Sequence, residues 1–329
     1  MQAYNPHAMT TPTAPPLQGA PNTWMRNGLS PSCVALPSRG HGSGNALLLD
    51  YLAERLPIVD RATWHARMAA GDVVNAQGQP VLPTQLLQPL AHGLAHVYYW
   101  RALVDEVPIP FEAQVLFEDE HLLLVDKPHF LPVLPSGKYL QNSLLVRLKR
   151  ATGNADLSPL HRIDRDTAGL VLLSKNASTR GLYQALFRDR VMHKTYEAVA
   201  PLRAGLSFPR SHRSRLQESD NFFLMHEVPG EPNSHTELSI TEANDHWARY
   251  ALQPISGKRH QLRVHMAALG IPIRNDAFYP EVNDPPEGDY SRPLQLLAQS
   301  LAFTDPISGE ARQWHSSLQL LALPVGAIE

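Results

Sequence analysis

The residues whose types could do chemistry concentrate in one stretch, Leu160-His161-Arg162-Ile163-Asp164-Arg165-Asp166-Thr167-Ala168-Gly169-Leu170-Val171-Leu172-Leu173. It opens with dense charge and closes in an apolar run. A carboxylate can act as a nucleophile or a base, and a nearby guanidinium keeps it ionised. Residues 170–173 read as a buried strand, with polar Ser174, Lys175 and Asn176 following. The charges therefore sit on a loop fixed by a core strand, which is a good platform for catalysis. On this stretch alone, a solvated turn leading into a strand has an equal claim.

Other charged or histidine-bearing stretches allow both a functional and a structural reading. Arg203, Arg210, Arg213 and Arg215, with His212, make 201–215 the strongest positive segment. They read either as a phosphate-contacting patch or as a solvated loop. His92 and His96 stand at helical spacing within 85–100, but a metal site needs at least one more ligand and none is evident nearby, so a structural role is expected. Gly257-Lys258 lacks the upstream glycine and the following Ser or Thr of a phosphate loop. The alternating glycines of 39–44 read as a hinge.

The elements that must position these residues follow from periodicity. Leu48, Leu49, Leu52, Ala53 and Leu56 share a face, which predicts a helix over 46–56. Asp60 is the expected N-cap of a second helix through Trp64 and Met68, ending near Gly71. Residues 73–81 read as a hairpin turning at Asn75-Ala76-Gln77-Gly78, and 97–100 has strand composition. Two short helices and a hairpin resemble the small RNA-binding module that precedes many RNA-modifying enzymes. With only Arg55, Arg61 and Arg67 on the helices, a purely structural version has an equal claim. Further on, 115–128 reads as strand, acidic turn, strand, ended by Pro128. Helices are expected over 143–150, ending in the basic face Arg147-Leu148-Lys149-Arg150, and over 179–190. Strands are expected over 194–200, 235–242 and 247–254, then a turn and a helix stopped by Gly270.

Bulk properties narrow the class. The 329 residues suffice for one large domain or two ordinary ones. A net charge of −2 gives no global basic field, so a nucleic-acid partner must be met by a local patch. The single cysteine, Cys33, rules out an internal disulfide and a cysteine-based zinc site. Many of the 29 prolines lie early, including Pro12, Pro15, Pro16 and Pro21, which predicts an irregular arm over 1–45. No signal peptide or membrane-spanning run is evident, so a cytoplasmic monomer with no membrane partner is expected.

Four stretches in fixed order now carry a resemblance: VLFEDEHLLLVDKP at 115–128, HRIDRDTAGLVLLSKN at 161–176, KTYEA at 194–198 and GKRHQLRVHMAALGIPI at 257–273. Together they resemble the RluA-type RNA pseudouridine synthases. The resemblance implies an α+β catalytic domain over 111–329, with a mixed, largely antiparallel central sheet and a cleft, behind a small helical region at 46–110. It implies conversion of uridine to pseudouridine in ribosomal or transfer RNA on a flipped-out nucleotide. That isomerisation has no net redox change, so no cofactor and no metal is expected. Carried over by position, Asp164 is the catalytic carboxylate, Arg263 its ion-pair partner and Tyr196 the aromatic against the uracil. Arg162 reaches the nucleotide, Leu172 lines the apolar floor and Lys194 supplies outer electrostatics. Ala168 stands where serine is commoner, and Asn275-Asp276 where Gly-Asp is usual; Asn tolerates the left-handed conformation that such a turn needs. Two rival functions are a catalytically silent RNA-binding protein and a glycosidic hydrolase that releases the base.

Overall fold

The computed structural model describes residues 24–37, 46–87, 96–101, 106–221, 223–283 and 285–326. The early prolines, the glycine-alternating segment and His92 lie outside the described residues. The chain divides into two compact units, Met1–Val104 and Asp105–Glu329.

The first unit holds β1 (Ser32–Ala35), α1 (Leu48–Arg55), α2 (Arg61–Ala69), β2 (Val73–Asn75) and β3 (His96–Tyr99). The strands form a three-stranded antiparallel sheet in the order β1-β3-β2. Leu48, Leu49, Leu52, Trp64 and Met68 bury the apolar helix faces against Val73 and Val97. Asp60 caps α2 by accepting the Thr63 N–H at 2.7 Å. One expectation needs correction. The irregular arm over 1–45 contains β1, because a four-residue run between Pro31 and Pro37 is too short to read until β3 supplies its ladder. His96 opens β3, in line with the strand composition of the residues that follow it.

The second unit is built on an eleven-stranded sheet. In chain order it contains β4 (Gln114–Glu118), β5 (Leu122–Lys127), α3 (Leu144–Thr152), β6 (Ser158–Pro159), β7 (Ala168–Ser174), α4 (Arg180–Arg188) and β8 (His193–Pro201). There follow β9 (Arg210–Glu218), β10 (Met225–Val228), β11 (Ser234–Ala243), β12 (Trp247–Pro254), α5 (Gln261–Ala268), β13 (Leu296–Thr304) and β14 (Ala311–His315). The path is β10-β9-β11-β12-β8-β13-β7-β5-β4, with β14 beside β13 and β6 beside β7. Every pairing is antiparallel except β13 with β7. The fold is therefore α+β on a mixed, mostly antiparallel sheet.

That one parallel contact is the seam of the sheet. It spans two residue pairs, Leu297↔Ala168 and Ala298↔Gly169. Gly169 has φ +108°, and a Cβ there would lie 2.4 Å from the Ala298 carbonyl oxygen. Only glycine allows the backbones to approach so closely. β5 and β7 are buried along their whole length, as their continuous apolar runs require.

Candidate active site

The charged loop 160–167 ends directly at this seam. Its start is stitched to β7: Leu160 N–H donates to the Leu172 carbonyl at 2.9 Å, and Leu172 N–H donates to His161 Nε2 at 3.1 Å. A ring nitrogen that accepts must be unprotonated. Burial, aided by the charge of Lys194, pushes His161 down to about 3, which keeps it neutral. The other end is held by Lys127, fully buried at the end of β5. Its ammonium donates to the carbonyls of Pro128 at 2.8 Å and Arg165 at 3.0 Å. Burial pushes Lys127 down to about 7, against the upward pull of Asp166 and Asp164. His129 Nδ1 donates to the Asp166 carbonyl at 2.7 Å, and the Asp166 carboxylate pairs with Arg165 Nε at 2.8 Å. Asp166 is therefore spent on the loop itself.

Asp164 faces α5. Arg263 Nη1 lies 3.5 Å from Asp164 Oδ2, and His260 Nε2 lies 3.9 Å from Oδ1. Arg263 is 1 % exposed and is gripped from behind by Asp276, with Nε to Oδ2 at 2.8 Å and Nη2 to Oδ1 at 2.6 Å. Burial opposes the Arg263 charge, but the hydrogen bonds and charge of Asp276, with Asp164 behind, raise its pKa overall. Asp276 also accepts the N–H groups of Phe278 and Tyr279, at 2.9 and 3.1 Å. The turn that presents it has Asn275 at φ +63°, the left-handed conformation expected there. The sequence does not single out His260 or Lys127, and it shows Asp276 only as part of a turn, not as the partner of Arg263. Asp276 is remote from the motif loop in sequence, and nothing in residue type says which of several acids will meet a given arginine.

Tyr196 packs against both core clusters that meet at the seam, one containing Ile163, Val171 and Ala298 and the other Leu262 and Leu294. Burial first and the Asp164 charge second raise its phenol pKa, so Tyr196 stays protonated across the physiological range. Arg162 is exposed on the loop.

Four expectations change. Leu172 does not face this site: strand alternation puts it with Leu170 in a cluster with Tyr183 and Phe303, while Val171 and Leu173 share the cluster that Tyr196 touches. Lys194 lies 6.0 Å from the Phe187 ring centroid, near His161 on the α4 side, where burial lowers its pKa. The basic segment is divided. Arg203 donates to the Leu269 carbonyl at the end of α5, at 3.2 Å. Arg210 shares the β9 face that turns toward α5, as its paired residue Leu238 does, whereas Arg213 and Arg215 alternate onto the exposed face. Arg147 of the expected basic face on α3 donates instead to the Phe111 and Ile109 carbonyls, both at 2.7 Å.

One group of three potential metal ligands exists among the described residues: His212, Glu227 and His265. His265 is fully buried and both its nitrogens are engaged, Nδ1 with Thr236 Oγ1 at 2.9 Å and Nε2 with Ser234 Oγ at 2.9 Å and Ser214 Oγ at 3.1 Å. Binding an ion would dismantle that network, so the arrangement is structural.

Comparisons with known proteins identify the family. The family model described as RNA pseudouridylate synthase matches residues 121–268, which span β5, the loop of Asp164, β8 and α5. The chain is 31% identical over 210 residues to the dual-specificity RNA pseudouridine synthase RluA of Salmonella typhi, covering 60% of this chain and 89% of that protein. It is 29% identical over 236 residues to an uncharacterized RNA pseudouridine synthase of Synechocystis, covering 70% of this chain and 79% of the relative. It is also 31% identical over 186 residues to the tRNA pseudouridine(31) synthase of Saccharomyces cerevisiae, covering 50% of this chain and 46% of that one. The solved structure of human RNA pseudouridylate synthase domain containing 1 shares the fold, with a TM-score of 0.51 at 21% identity over 64% of this chain and 85% of that one. The family match and these relatives define an RNA-modifying isomerase. The chain belongs to the RluA-type RNA pseudouridine synthase family, and it converts uridine to pseudouridine in RNA.

Proposed function

We propose that Asp164 is the carboxylate that drives this isomerisation, with Arg263 holding it and Tyr196 against the uracil face. The observation that carries the reading is the contact of Arg263 with Asp164, made by an arginine whose other donors are fixed on Asp276. The reaction breaks the N1–C1′ bond, turns the uracil, joins C5 to C1′ and releases the C5 proton. Asp164 serves each route open to it: attack on the ribose, attack on the base, or abstraction of a sugar proton. The protonated Tyr196 stacks on the base and can donate, but does not serve as a phenolate. A nucleotide flipped out of its stack reaches this site, and the exposed Arg162 meets the flanking phosphate or fills the vacated space.

The RNA class is ribosomal or transfer RNA, the classes that the relatives' names suggest. Arg213 and Arg215, on the exposed face of β9, are the phosphate contacts we assign, with Arg203 and Arg210 left to structural roles. Without net redox change the chemistry asks for no cofactor or metal, and the working form we assign is a cytoplasmic monomer. RNA containing 5-fluorouridine tests the reading. An altered base that remains attached to the RNA, or to the enzyme, and that is lost in Asp164→Asn supports it. Free fluorouracil would identify a hydrolase, and binding with no altered base would identify a silent RNA-binding protein.

A further inference from the structure

Segment 276–279 touches both residues that face Asp164, Arg263 of α5 and His260 just ahead of that helix. Asp276 grips Arg263, as described above. Tyr279 Oη lies 2.9 Å from His260 Nδ1 and itself accepts the Met225 N–H at 2.8 Å. Between them, Phe278 stacks on the His260 ring at 6.0 Å and 18°, and the Arg263 guanidinium lies 5.0 Å from the Phe278 ring centroid. Arg263 and His260 then approach opposite oxygens of the Asp164 carboxylate, Oδ2 and Oδ1.

The hydrogen bond to Tyr279 couples the state of His260 to the phenol. Tyr279 Oη accepts the Met225 N–H, and among the described residues its other hydrogen-bond partner is His260 Nδ1. When the phenol donates to Nδ1, the ring proton sits on Nε2, the nitrogen that faces Asp164. His260 holds a left-handed backbone at φ +53° just ahead of α5, where its ring, 12 % exposed, is brought up to the carboxylate. Burial lowers its pKa, against the pull of the Asp164 charge, so the neutral tautomer persists at physiological pH. The 3.9 Å gap is too long for a hydrogen bond, but such contacts commonly tighten when substrate seats.

We propose that His260 is a positioning residue for Asp164: its Nε2–H orients Oδ1 while Arg263 holds Oδ2, and Tyr279 acts through His260 by fixing its tautomer. This rests on the reading of Asp164 as the reacting carboxylate. A purely structural His260 would leave turnover unchanged when another ring keeps the stack on Phe278.

The test measures single-turnover tritium release from RNA carrying [5-³H]uridine, at saturating enzyme, for His260→Phe, His260→Gln, Tyr279→Phe and His260→Phe/Tyr279→Phe. His260→Phe keeps the stack and loses the donor; its turnover should fall by about ten- to a hundredfold, with RNA affinity within about twofold. Glutamine carries an amide N–H near the position of Nε2 and should restore most of the rate. Tyr279→Phe should slow wild type but add nothing in the His260→Phe background. Equal rates for His260→Phe and wild type, or losses that multiply in the double variant, would overturn the proposal. If His260→Phe does not fold, glutamine is compared with asparagine, whose shorter amide cannot reach Oδ1. A glutamine rate at least about tenfold above asparagine supports the role, and equal rates overturn it. Asp164→Asn runs alongside. If it turns over like wild type, the reading of Asp164 fails and the proposal with it; if it is dead while His260→Phe is unimpaired, only the proposal fails.

Discussion

Arg263 satisfies two carboxylates at once, which sets what each partner is worth. Its Nε and Nη2 form a fork on Asp276 and its Nη1 reaches Asp164. A lysine has a single ammonium at the end of a flexible stem and cannot hold both. Arg263→Lys should therefore misplace Asp164, lowering turnover by about a hundredfold while RNA affinity in filter binding changes little. Wild-type turnover in that variant would show that Asp164 does not depend on the fork. Asp276→Asn removes the buried countercharge, leaving a 1 % exposed guanidinium with the partly exposed Asp164, 3.5 Å away, as its remaining ion-pair partner among the described residues. Breaking one side of such a pair costs about 3–5 kcal/mol, so urea denaturation should show a loss of that order. A loss below about 1 kcal/mol would contradict the buried pairing. Residue by residue, the sequence carried Asp164, Arg263 and Tyr196 through motif order. It placed Asp276 in a family turn without its role and did not single out His260 or Lys127, because those roles depend on which elements are brought face to face.

At the scale of elements, the seam between β7 and β13 and the alternation along β9 decide what each strand presents. Gly169 sits at the seam, where a Cβ would strike the backbone of Ala298 and its φ of +108° is unfavourable for any other residue. Gly169→Ala should cost at least about 2 kcal/mol in chemical denaturation, from strained dihedrals alone, and should displace the Asp164 loop. Near-native stability in that variant would mean that the seam can open without cost. On β9, alternation separates Arg213 and Arg215 from Arg210. Replacing both exposed arginines with alanine should weaken RNA binding uniformly across sequences and reduce the salt slope by about two. An unchanged slope would remove β9 from the RNA surface. Helices and strands with clean periodicity, such as α1, α5, β5 and β7, were legible in the sequence. β1, β9 and β10 were not: β1 is too short to stand out, and β9 alternates charge with small polar residues, so it reads as a basic loop until β11 pairs with it. Leu172 was misplaced for the same reason, since a continuous apolar strand does not reveal which face meets the site.

At the scale of the whole molecule, the catalytic unit encloses ionisable groups whose burial ties stability to pH. Lys127 is fully buried and its folded pKa, about 7, lies below the ordinary 10.5. Between those values the unfolded chain binds a proton that the folded chain has released, so stability rises with pH across this window; below pH 7 the full cost of burying the charge remains. Lys127→Met should flatten that rise in urea denaturation between pH 7 and 10, although the Pro128 and Arg165 carbonyls then lose their donor and the variant starts from a lower stability. An unaltered slope would assign the pH dependence to other groups, including Lys149 and Lys194, whose pKa values burial also lowers. The α+β class and the family were legible from four ordered motifs. The sheet path through a single parallel pairing was not, because β13 comes from a stretch of ordinary apolar composition.

The most direct measurement of the central claim is tritium release from [5-³H]uridine RNA by wild type and Asp164→Asn, with folding and RNA binding of both checked in parallel. Wild type should release tritium in step with pseudouridine formed, and the variant should bind the RNA, remain folded and release none. Release by Asp164→Asn at the wild-type rate would contradict the assignment of Asp164 as the carboxylate that drives the reaction.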